Sequence, residues 1–376
     1  MSTYRLRDFV DPIAITVQDP ANSGFERFVG LEHYDSNELV IKRFSGVELL
    51  TTNAKAFQKN DLLIARRNVY LRRAGVVYFD GITSGDSIVL RVKEDCEKQT
   101  GISRELAQRV LPLVLNTDKF WIYANKHADG MNSKRISKDT LLDYEFDLPS
   151  IEEQKELADK LWAAYKVKES YRQLLSTTDE MLKAKFQEMF GDFLVNDRNW
   201  LTMPMSEVAP ESPSKHGNKG NVWNLNLDMI ESNTGIVIEK VYAPFEDLNS
   251  VSAFDKGNVL YSKLRPYLNK VVVPDEEGYA TTELIPLRPN PEFLNLCFFS
   301  HLLRSDKFVA YANSIATGTK MPRVPMDGLR KFNCILPPME LQQQFAEIAM
   351  QAEATKASLR ASIEAIDRVI RSLINQ

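Results

Sequence analysis

The chain has 376 residues, of which 44% are hydrophobic and 26% are charged, so it can bury a substantial core. At roughly 150 residues per domain, this length predicts two or three domains. The formal charge of -4 argues against a uniformly basic nucleic-acid-binding protein, but not against one whose basic residues are clustered.

Neither a membrane span nor a secretion signal is visible. No stretch approaches the roughly 20 apolar residues that a membrane span requires. The N-terminal residues MSTYRLRDFVDP have no apolar core for a signal peptide. We therefore expect a cytoplasmic protein without a membrane partner. Cys96, Cys297 and Cys334 are too few and too widely spaced for a disulfide framework or a metal site, so we expect buried small hydrophobic side chains.

An internal repeat begins in the first quarter of the chain. Residues 57–73 (FQKNDLLIARRNVYLRR) align with residues 254–270 (FDKGNVLYSKLRPYLNK) at an offset of 197 residues. The same offset carries Asp86 onto Glu283. Such ordered matches predict two similar units in one chain.

The repeat continues with a shorter offset of 188 residues. Residues 115–130 align with residues 303–318 and share the phrases Asp-Lys-Phe and Tyr-Ala-Asn. The change in offset places a nine-residue insertion in the first half, around KEDCEKQTG, which we predict to be a loop.

Within each half the pattern of apolar residues predicts strands followed by helices. The β-branched runs at 76–92 and 269–287 are typical of strands joined by turns with Gly and Asp. Apolar residues recur at steps of three and four over 104–127 and 292–313, which predicts short helices. Each half is therefore predicted to be an α+β unit of roughly 145 residues.

A long uninterrupted helix is predicted after each α+β unit, over 151–190 and 339–376. At about 1.5 Å per residue each would span about 55–60 Å. A helix of this length needs a partner along its apolar side. The predicted heptad-like seam contains Leu157, Leu161, Ala164, Lys168, Tyr171, Leu175, Thr178, Leu182, Lys185 and Met189, then Phe345, Ile348, Ala352, Thr355, Leu359, Ser362, Ile366, Ile370 and Leu373.

Two arrangements of these helices are considered. Each helix could pack on its own globular unit, or the two could form an antiparallel coiled coil with a pseudo-two-fold axis and one globular unit at each end. We favour the coiled coil. The predicted domains are 1–147, a first helical segment at 148–190, a second domain at 191–335 and a second helical segment at 336–376.

Signatures of catalysis and metal binding are missing. The sequence has no P-loop, HExxH, GxSxG or paired CxxC motif. The histidines are isolated, and none stands at metal-ligand spacing from another ligand. A glycine-containing run at 216–221 could cradle a phosphate, but a surface loop is the preferred interpretation. We therefore predict no catalytic residue, no metal and no cofactor.

Local positive charge with an aromatic residue inside it recurs in both halves. Long cationic side chains can contact phosphate, Arg can read guanine, and Asn can read adenine. The alternative is a solvated turn with Tyr packed beneath it, but the recurrence favours DNA contact. The candidates are Arg66, Arg67, Asn68, Tyr70, Arg72 and Arg73, and then Lys263, Arg265, Tyr267, Asn269 and Lys270.

A second basic turn also recurs, over 132–135 and 319–323, in each case after a shared glycine. Its candidates for DNA contact are Lys134, Arg135, Lys320 and Arg323. A tight connection explains it equally well, with the glycine supplying a positive φ and the arginine pairing with a neighbouring acid. The sequence leaves both interpretations open.

These residues resemble the specificity subunit of a type I restriction-modification system. The resemblance lies in GNVLYSKLRPYLNKV (257–271), in the Gly-x-x-x-x-Arg turn at 318–323, and above all in Leu-Pro-Pro-x-Glu-x-Gln (336–342) with its earlier copy LPSIEEQ (148–154). It implies that each globular unit is a target recognition domain that reads one half of a bipartite site in double-stranded DNA. It further implies that the helices are spacers that dock methyltransferase subunits. The subunit itself would be non-catalytic, with methylation and cleavage performed by methyltransferase and restriction subunits.

The two halves depart from each other within the shared pattern. Asn68 stands where the second half has Arg265, and Ser150 stands where it has Pro338. The two domains are therefore expected to read different half-sites. Two other functions are weighed against this one, a single-chain restriction-modification enzyme and a structural adaptor that joins proteins through its coiled coil. The missing cofactor and nuclease motifs count against the enzyme.

Overall fold

A computed structural model describes residues 2–131, 133–214 and 220–375. The chain divides into two compact units. The first comprises Met1–Tyr171 and Ala361–Gln376, and the second comprises Arg172–Arg360. Both contain helices and sheets, which confirms the predicted α+β class. Among the described residues, no helix is both long enough and apolar enough to cross a lipid bilayer.

The described part of the first unit contains ten strands, five short helices, the beginning of one long helix and the end of another. The strands are β1 (Ser2–Arg5), β2 (Val10–Ile13), β3 (Thr16–Val17), β4 (Phe28–Val29), β5 (Ala54–Phe57), β6 (Leu62–Ala65), β7 (Ala74–Val76), β8 (Gly81–Thr83), β9 (Ser87–Val92) and β10 (Glu145–Leu148). The helices are α1 (Leu6–Phe9), α2 (Cys96–Thr100), α3 (Arg104–Val114), α4 (Asp118–Lys126), α5 (Lys138–Leu142) and α6 (Ile151–Phe190).

The second unit repeats this plan. Its strands are β11 (Leu201–Pro204), β12 (Asn221–Leu225), β13 (Val241–Pro244), β14 (Val251–Phe254), β15 (Val259–Ser262), β16 (Val271–Val272), β17 (Gly278–Thr281), β18 (Leu284–Leu287) and β19 (Asn333–Leu336). Its helices are α7 (Met205–Val208), α8 (Leu296–Arg304), α9 (Asp306–Ile315), α10 (Met326–Lys331) and α11 (Met339–Ile374).

The sheets of the two units have equivalent pairings. In the first unit β6 lies between β7 and β9, and in the second β15 lies between β16 and β18. The neighbouring sheets contain β5 antiparallel to β8 and β14 antiparallel to β17. They also share a parallel pair, β4 with β8 and β12 with β17. These matches confirm the internal repeat.

Each unit is closed by pairing its first strand with its last. Ser2 of β1 lies opposite Leu148 of β10, and Leu201 of β11 lies opposite Leu336 of β19. Both last strands run directly into the Leu-Pro phrase that precedes a long helix. The start of each helix is thus attached to its globular unit by a strand ladder.

The shared phrase Asp-Lys-Phe marks the start of a helix in each unit. Thr117 and Ser305 act as N-caps, and their side chains accept hydrogen bonds from the backbone N–H groups of Phe120 and Phe308. Both phenylalanines are fully buried. In the shared Tyr-Ala-Asn phrase, the Tyr123 hydroxyl donates to the carbonyl of Thr140, and the Tyr311 hydroxyl donates to that of Gly328.

The predicted helical stretches at 104–127 and 292–313 each contain two short helices. The break falls where the extended backbone of the N-cap residue, Thr117 or Ser305, begins a new helix.

The predicted loop around KEDCEKQTG contains a helix, α2, which the sequence analysis missed. Cys96 is completely buried and holds this segment against the core, and Gly101 ends it with a φ of +73°. Cys334 is equally buried, while Cys297 is intermediate in exposure.

The long helices α6 and α11 occupy nearly the predicted ranges and pack against each other. In the second unit, Phe186 and Phe190 of α6 contact the ring of Phe345 near the start of α11, with centroids 5.2 and 5.5 Å apart. Asp179 of α6, earlier in the chain, pairs with Lys356 of α11, which comes later. Residue numbers therefore rise along one helix as they fall along the other, which is antiparallel pairing.

Two assignments within the predicted seam are wrong. Lys185 is partly exposed and pairs with Glu188, while Phe186 occupies the seam. Thr355 is exposed, and Lys356 is buried in its place. The buried positions of α6 advance by fours here, through Leu182, Phe186 and Phe190, because an α-helix has about 3.6 residues per turn and drifts from a strict heptad.

The glutamine of the repeated Leu-Pro phrase has a structural role in both units. The side-chain amide of Gln342 donates to the carbonyls of Pro337 and Phe293, at 2.8 and 2.9 Å, and its oxygen accepts from the N–H of Asn295. In the first unit, Gln154 donates to the carbonyl of Pro149 at 2.9 Å. Both glutamines are buried. They satisfy backbone groups where the strand gives way to the long helix.

We therefore expect Gln342→Ala to lower the free energy of unfolding by about 2–4 kcal/mol, because three buried or partly buried backbone groups lose their partner. Chemical unfolding of the full chain would measure this effect. Gln344→Ala is the matched control, since Gln344 is an exposed residue of the same helix turn. Equal stability of the two variants would show that the Gln342 hydrogen bonds contribute nothing.

Candidate nucleic-acid interface

In the first unit two turns lie side by side at the end of β6. We call residues 66–73 and 129–135 the first turn pair. The backbone N–H of Asn68 donates to the carbonyl of Lys134 at 2.8 Å, and that of Ile136 donates to the carbonyl of Arg66 at 3.0 Å. These bonds bring the two basic segments of the sequence analysis together in space.

The second unit contains an equivalent second turn pair, residues 263–270 and 317–323. The N–H of Arg265 donates to the carbonyl of Pro322 at 2.7 Å, and that of Val324 donates to the carbonyl of Lys263 at 2.9 Å. These bonds join the same repeat positions as in the first unit.

Both turn pairs share an unusual backbone conformation. A short 3-10 helix, Val69–Leu71 or Pro266–Leu268, lies between two residues with left-handed backbone angles. The flanking φ values are 54° and 51° at Asn68 and Arg72, and 50° and 47° at Arg265 and Asn269. Such angles are uncommon and strained for residues other than glycine, and they cluster at functional sites.

This conformation holds the central tyrosine outward. Tyr70 is 62% exposed and Tyr267 is 50% exposed. The alternative of a tyrosine packed beneath a solvated turn therefore does not describe either unit.

The second basic turn is a tight connection in both units. Gly130 and Gly318 have φ values of +117° and +100°. Arg135 lies 3.5 Å from a carboxylate oxygen of Asp86, and Arg323 lies 3.1 Å from Glu283. The interpretation of a positive-φ glycine and an arginine paired with an acid is therefore confirmed. Both guanidinium groups remain about half exposed, so the pairing leaves them accessible.

Several cationic candidates in the first turn pair reach solvent. Arg67 donates from Nε to the hydroxyl of Ser133 at 2.6 Å and lies 3.6 Å from Asp86. Arg72 pairs with Asp118 at the start of α4. Lys134 is exposed, and within the described part of the chain it has no ion pair. Because Asp86 is shared between Arg67 and Arg135, the cluster keeps an excess of positive charge.

Lys55 is close enough to Arg66 of the first turn pair to interact with it electrostatically. Burial is the first cause that lowers the pKa of Lys55, and the nearby guanidinium of Arg66 lowers it further. Arg66 itself is partly buried, and its backbone N–H donates to the carbonyl of Asp86. The excess of arginine and lysine over Asp86 places positive charge around the first turn pair.

The second turn pair exposes its cations to a similar degree. Lys320 and Arg323 are exposed, while Lys263 and Arg265 are intermediate in exposure, as Arg67 and Arg72 are in the first turn pair. For Lys263, Arg265 and Lys320, no ion pair is formed among the residues that the structure covers. Arg265 replaces the amide of Asn68 at the same left-handed position, which gives the two units different hydrogen-bonding groups.

Three candidates use their donors inside the fold. Arg73 donates to the carbonyls of Leu31 and Arg67, and burial lowers its pKa. Its repeat equivalent, Lys270, donates to the carbonyl of Leu227 at 2.6 Å. Asn269 is 7% exposed and donates to the carbonyl of Arg304 at 2.8 Å. This geometry favours a role in supporting the turns.

Sequence reasoning missed residues that organise both turn pairs. Ser133 bonds to the side chains of Arg67 and Asn68. Asp86 and Glu283 are the acids that orient the arginines. The alignment of Asp86 with Glu283 in the repeat was the sequence signal that could have identified these two acids. Asn132 and the candidate phosphate loop at 216–219 lie outside the described residues.

The described residues include no group of three His, Cys, Asp or Glu side chains placed to hold a metal ion. What the two turn pairs offer is cations, amides and an exposed aromatic ring. These groups can contact phosphates and base edges and can stack on bases.

Comparison with known proteins identifies the family. The model of the type I restriction modification DNA specificity domain matches twice, at residues 12–175 and 210–368. The chain is 20% identical over 317 residues to the type I restriction enzyme EcoDI specificity subunit of Escherichia coli, covering 70% of this chain and 69% of that protein.

Solved structures show the same fold. The type I restriction-modification system S subunit from M. genitalium has a TM-score of 0.54 at 11% identity, covering 99% of this chain and 94% of that one. A chain from a structural study of complex assembly and conformational transition in a type I R-M system has a TM-score of 0.53 at 17% identity, covering 99% and 96%. Taken with the duplicated family match, the chain belongs to the family of type I restriction modification DNA specificity subunits.

Proposed function

We propose that this chain reads a bipartite DNA site, with one unit recognising each half-site through its turn pair. The observation that carries the proposal is the duplicated turn pair itself. Each pair presents an exposed tyrosine among cationic side chains, on a backbone held in the same strained conformation. The cations would contact phosphate and position the unit, while side chains at the turn would contact base edges.

The two half-sites would differ in sequence. At the equivalent left-handed position one unit has the amide of Asn68, and the other has the guanidinium of Arg265. Amides and guanidinium groups prefer different base edges. The contact set that we propose is Arg66, Arg67, Asn68, Tyr70, Arg72, Lys134, Arg135, Lys263, Arg265, Tyr267, Lys320 and Arg323. We propose that Arg73, Asn269 and Lys270 support these residues from within the fold.

The long helices would set the gap between the half-sites and dock methyltransferase subunits. A helix of 40 residues, the length of α6, is about 60 Å long. In this proposal the chain is the non-catalytic, cytoplasmic subunit of a complex that also contains a restriction subunit, and its domains divide at residues 147, 190 and 335.

Base-resolution mapping of methylated adenines, after co-expression of this chain with its methyltransferase subunit, would test the proposal. We expect two unlike half-sites separated by a gap of constant length. The mapped site should change when another specificity subunit replaces this chain. Methylation of one uninterrupted site, or a pattern that does not depend on this chain, would contradict the proposal.

The same experiment separates the two alternative functions. A purified chain that modifies or cuts DNA without a partner would indicate a single-chain enzyme. A chain that assembles with a methyltransferase subunit but leaves the complex unable to bind DNA would indicate a structural adaptor.

A further inference from the structure

Each unit contains a lysine that is buried where the long helices meet. In the first unit, Nζ of Lys168 on α6 lies 2.6 Å from Oδ1 of Asp367 on α11. In the second unit, Nζ of Lys356 on α11 lies 2.6 Å from Oδ1 of Asp179 on α6. Both lysine side chains are 4% exposed.

The two ion pairs are copies of each other within the repeat. The offset of 188 residues carries Lys168 onto Lys356 and Asp179 onto Asp367. The lysine is supplied by α6 in one unit and by α11 in the other. The two residue numbers have the same sum in both pairs, so one antiparallel register satisfies both.

An apolar seam alone does not define such a register strongly. When one helix slips along the other by one heptad, each apolar side chain meets another apolar side chain. The two buried lysines break this equivalence. A slip of one heptad would place Lys168 opposite Arg360 or Ile374, and it would place Lys356 opposite Arg172 or Phe186. Each buried lysine would then lose its carboxylate partner on the other helix, which is unfavourable.

Each lysine has a further carboxylate partner. Lys168 also lies 2.7 Å from Oε1 of Glu38, which belongs to the globular part of the first unit. Lys356 also lies 2.7 Å from Oε1 of Glu353, three residues earlier on its own helix. The first pair therefore also joins the helices to the recognition domain.

We propose that these two Lys–Asp pairs, each with a buried lysine, select the register in which α6 and α11 associate, and that they are positioning residues for the gap between the half-sites. The effect on the gap rests on the proposed function of the helices. The choice of register rests on the contacts alone. A single buried polar group is known to specify register in coiled coils at some loss of stability.

Charge exchange in the full chain would test the pairing. The charges are exchanged in the second unit. In the first unit, an aspartate in place of Lys168 would be repelled by the carboxylate of Glu38. All variants carry Glu353→Gln, which removes the other carboxylate near Lys356. The single variant is Lys356→Asp. The matched double variant adds Asp179→Lys, and the crossed double variant adds Asp367→Lys instead. The two doubles have the same composition and differ only in which partner is changed.

We expect Lys356→Asp to lower the midpoint of thermal unfolding by about 5 °C or more. The matched variant should recover more than half of this loss. The crossed variant should unfold at or below the single variant, because residue 367 would then place a lysine against Lys168. If the matched variant folds and the crossed variant does not fold at all, the result supports the proposal equally. A matched variant no more stable than the crossed one would overturn it.

Methylation mapping of the assembled complexes provides a second measurement, one that a purely structural role would not change. The matched complex should retain the wild-type gap, and the crossed complex should methylate sites with a second gap length. A crossed complex that methylates only the original gap would overturn the positioning role. The midpoints of thermal unfolding are measured without DNA and test only the choice of register. If the helices had no influence on the gap, the matched and crossed variants would therefore still differ in their midpoints of thermal unfolding.

Discussion

Insertion of four helix-forming residues into each long helix is expected to lengthen the gap between the half-sites by about one or two base pairs, leaving both half-sites unchanged. Four residues add about 6 Å to an α-helix, and B-DNA rises about 34–36 Å over each turn of 10–10.5 base pairs. The helix α6 is continuous from Ile151 to Phe190, so an added turn lengthens it.

The insertions belong after Leu174 in α6 and after Arg360 in α11. These sites lie between the residues of the two Lys–Asp pairs on each helix, so both pairs can form in the lengthened protein. Coiled coils accommodate a four-residue insertion by a local change in winding. Methylation mapping of the assembled complex would measure the new gap.

A matched control inserts the same residues after Leu49, which is 93% exposed in a turn of the first unit. This variant adds length to the chain but not to a helix, and its gap should equal that of the wild type. An active complex with lengthened helices and the original gap would show that the helices do not set the spacing.

Removing the solvent-facing charges of the first turn pair is expected to weaken DNA binding about 100-fold and to make it less dependent on salt. The variant is Arg67→Gln, Lys134→Gln and Arg135→Gln. Each charge-assisted hydrogen bond to phosphate contributes about 1 kcal/mol or more, and about 1.4 kcal/mol corresponds to a tenfold change in affinity. Each lost phosphate contact should also lower the slope of log affinity against log salt by about 0.9.

Binding should be measured with the complex assembled with methyltransferase subunits, over a range of salt concentrations. The control removes three cations from exposed ion pairs elsewhere in the first unit, through Arg5→Gln, Arg43→Gln and Lys160→Gln. The two variants lose the same net charge. An unchanged salt slope in the turn-pair variant, or the same loss in the control, would rule out phosphate contact by these residues.

Much of the architecture was predictable because it depends on local sequence patterns. The internal repeat predicted two similar α+β units, and apolar periodicity placed α6 at its observed limits. The residues directly before Asp-Lys-Phe, Thr117 and Ser305, and the glutamines of Leu-Pro-x-x-x-x-Gln all satisfy backbone groups at the start of a helix. These interactions join residues close together in the chain, so they leave a signature in a single sequence.

The role of each charged residue was decided only by the tertiary structure. Tyr70 and Arg73 are three positions apart in one basic run, yet the first reaches solvent while the second donates to the carbonyl of Leu31. Lys185 and Thr355 lie outside the buried seam to which they were assigned, and Phe186 and Lys356 are buried in their place, because the buried side of each helix drifts from a strict heptad.

By itself, then, the sequence determined the duplication, the fold class, the two long helices and the basic clusters, since composition and periodicity are properties of neighbouring residues. The tertiary structure alone decided which cations face solvent and which lysines are buried between helices. Those outcomes depend on partners such as Asp86, Asp179 and Asp367, which are distant in sequence from the arginines and lysines that they pair with.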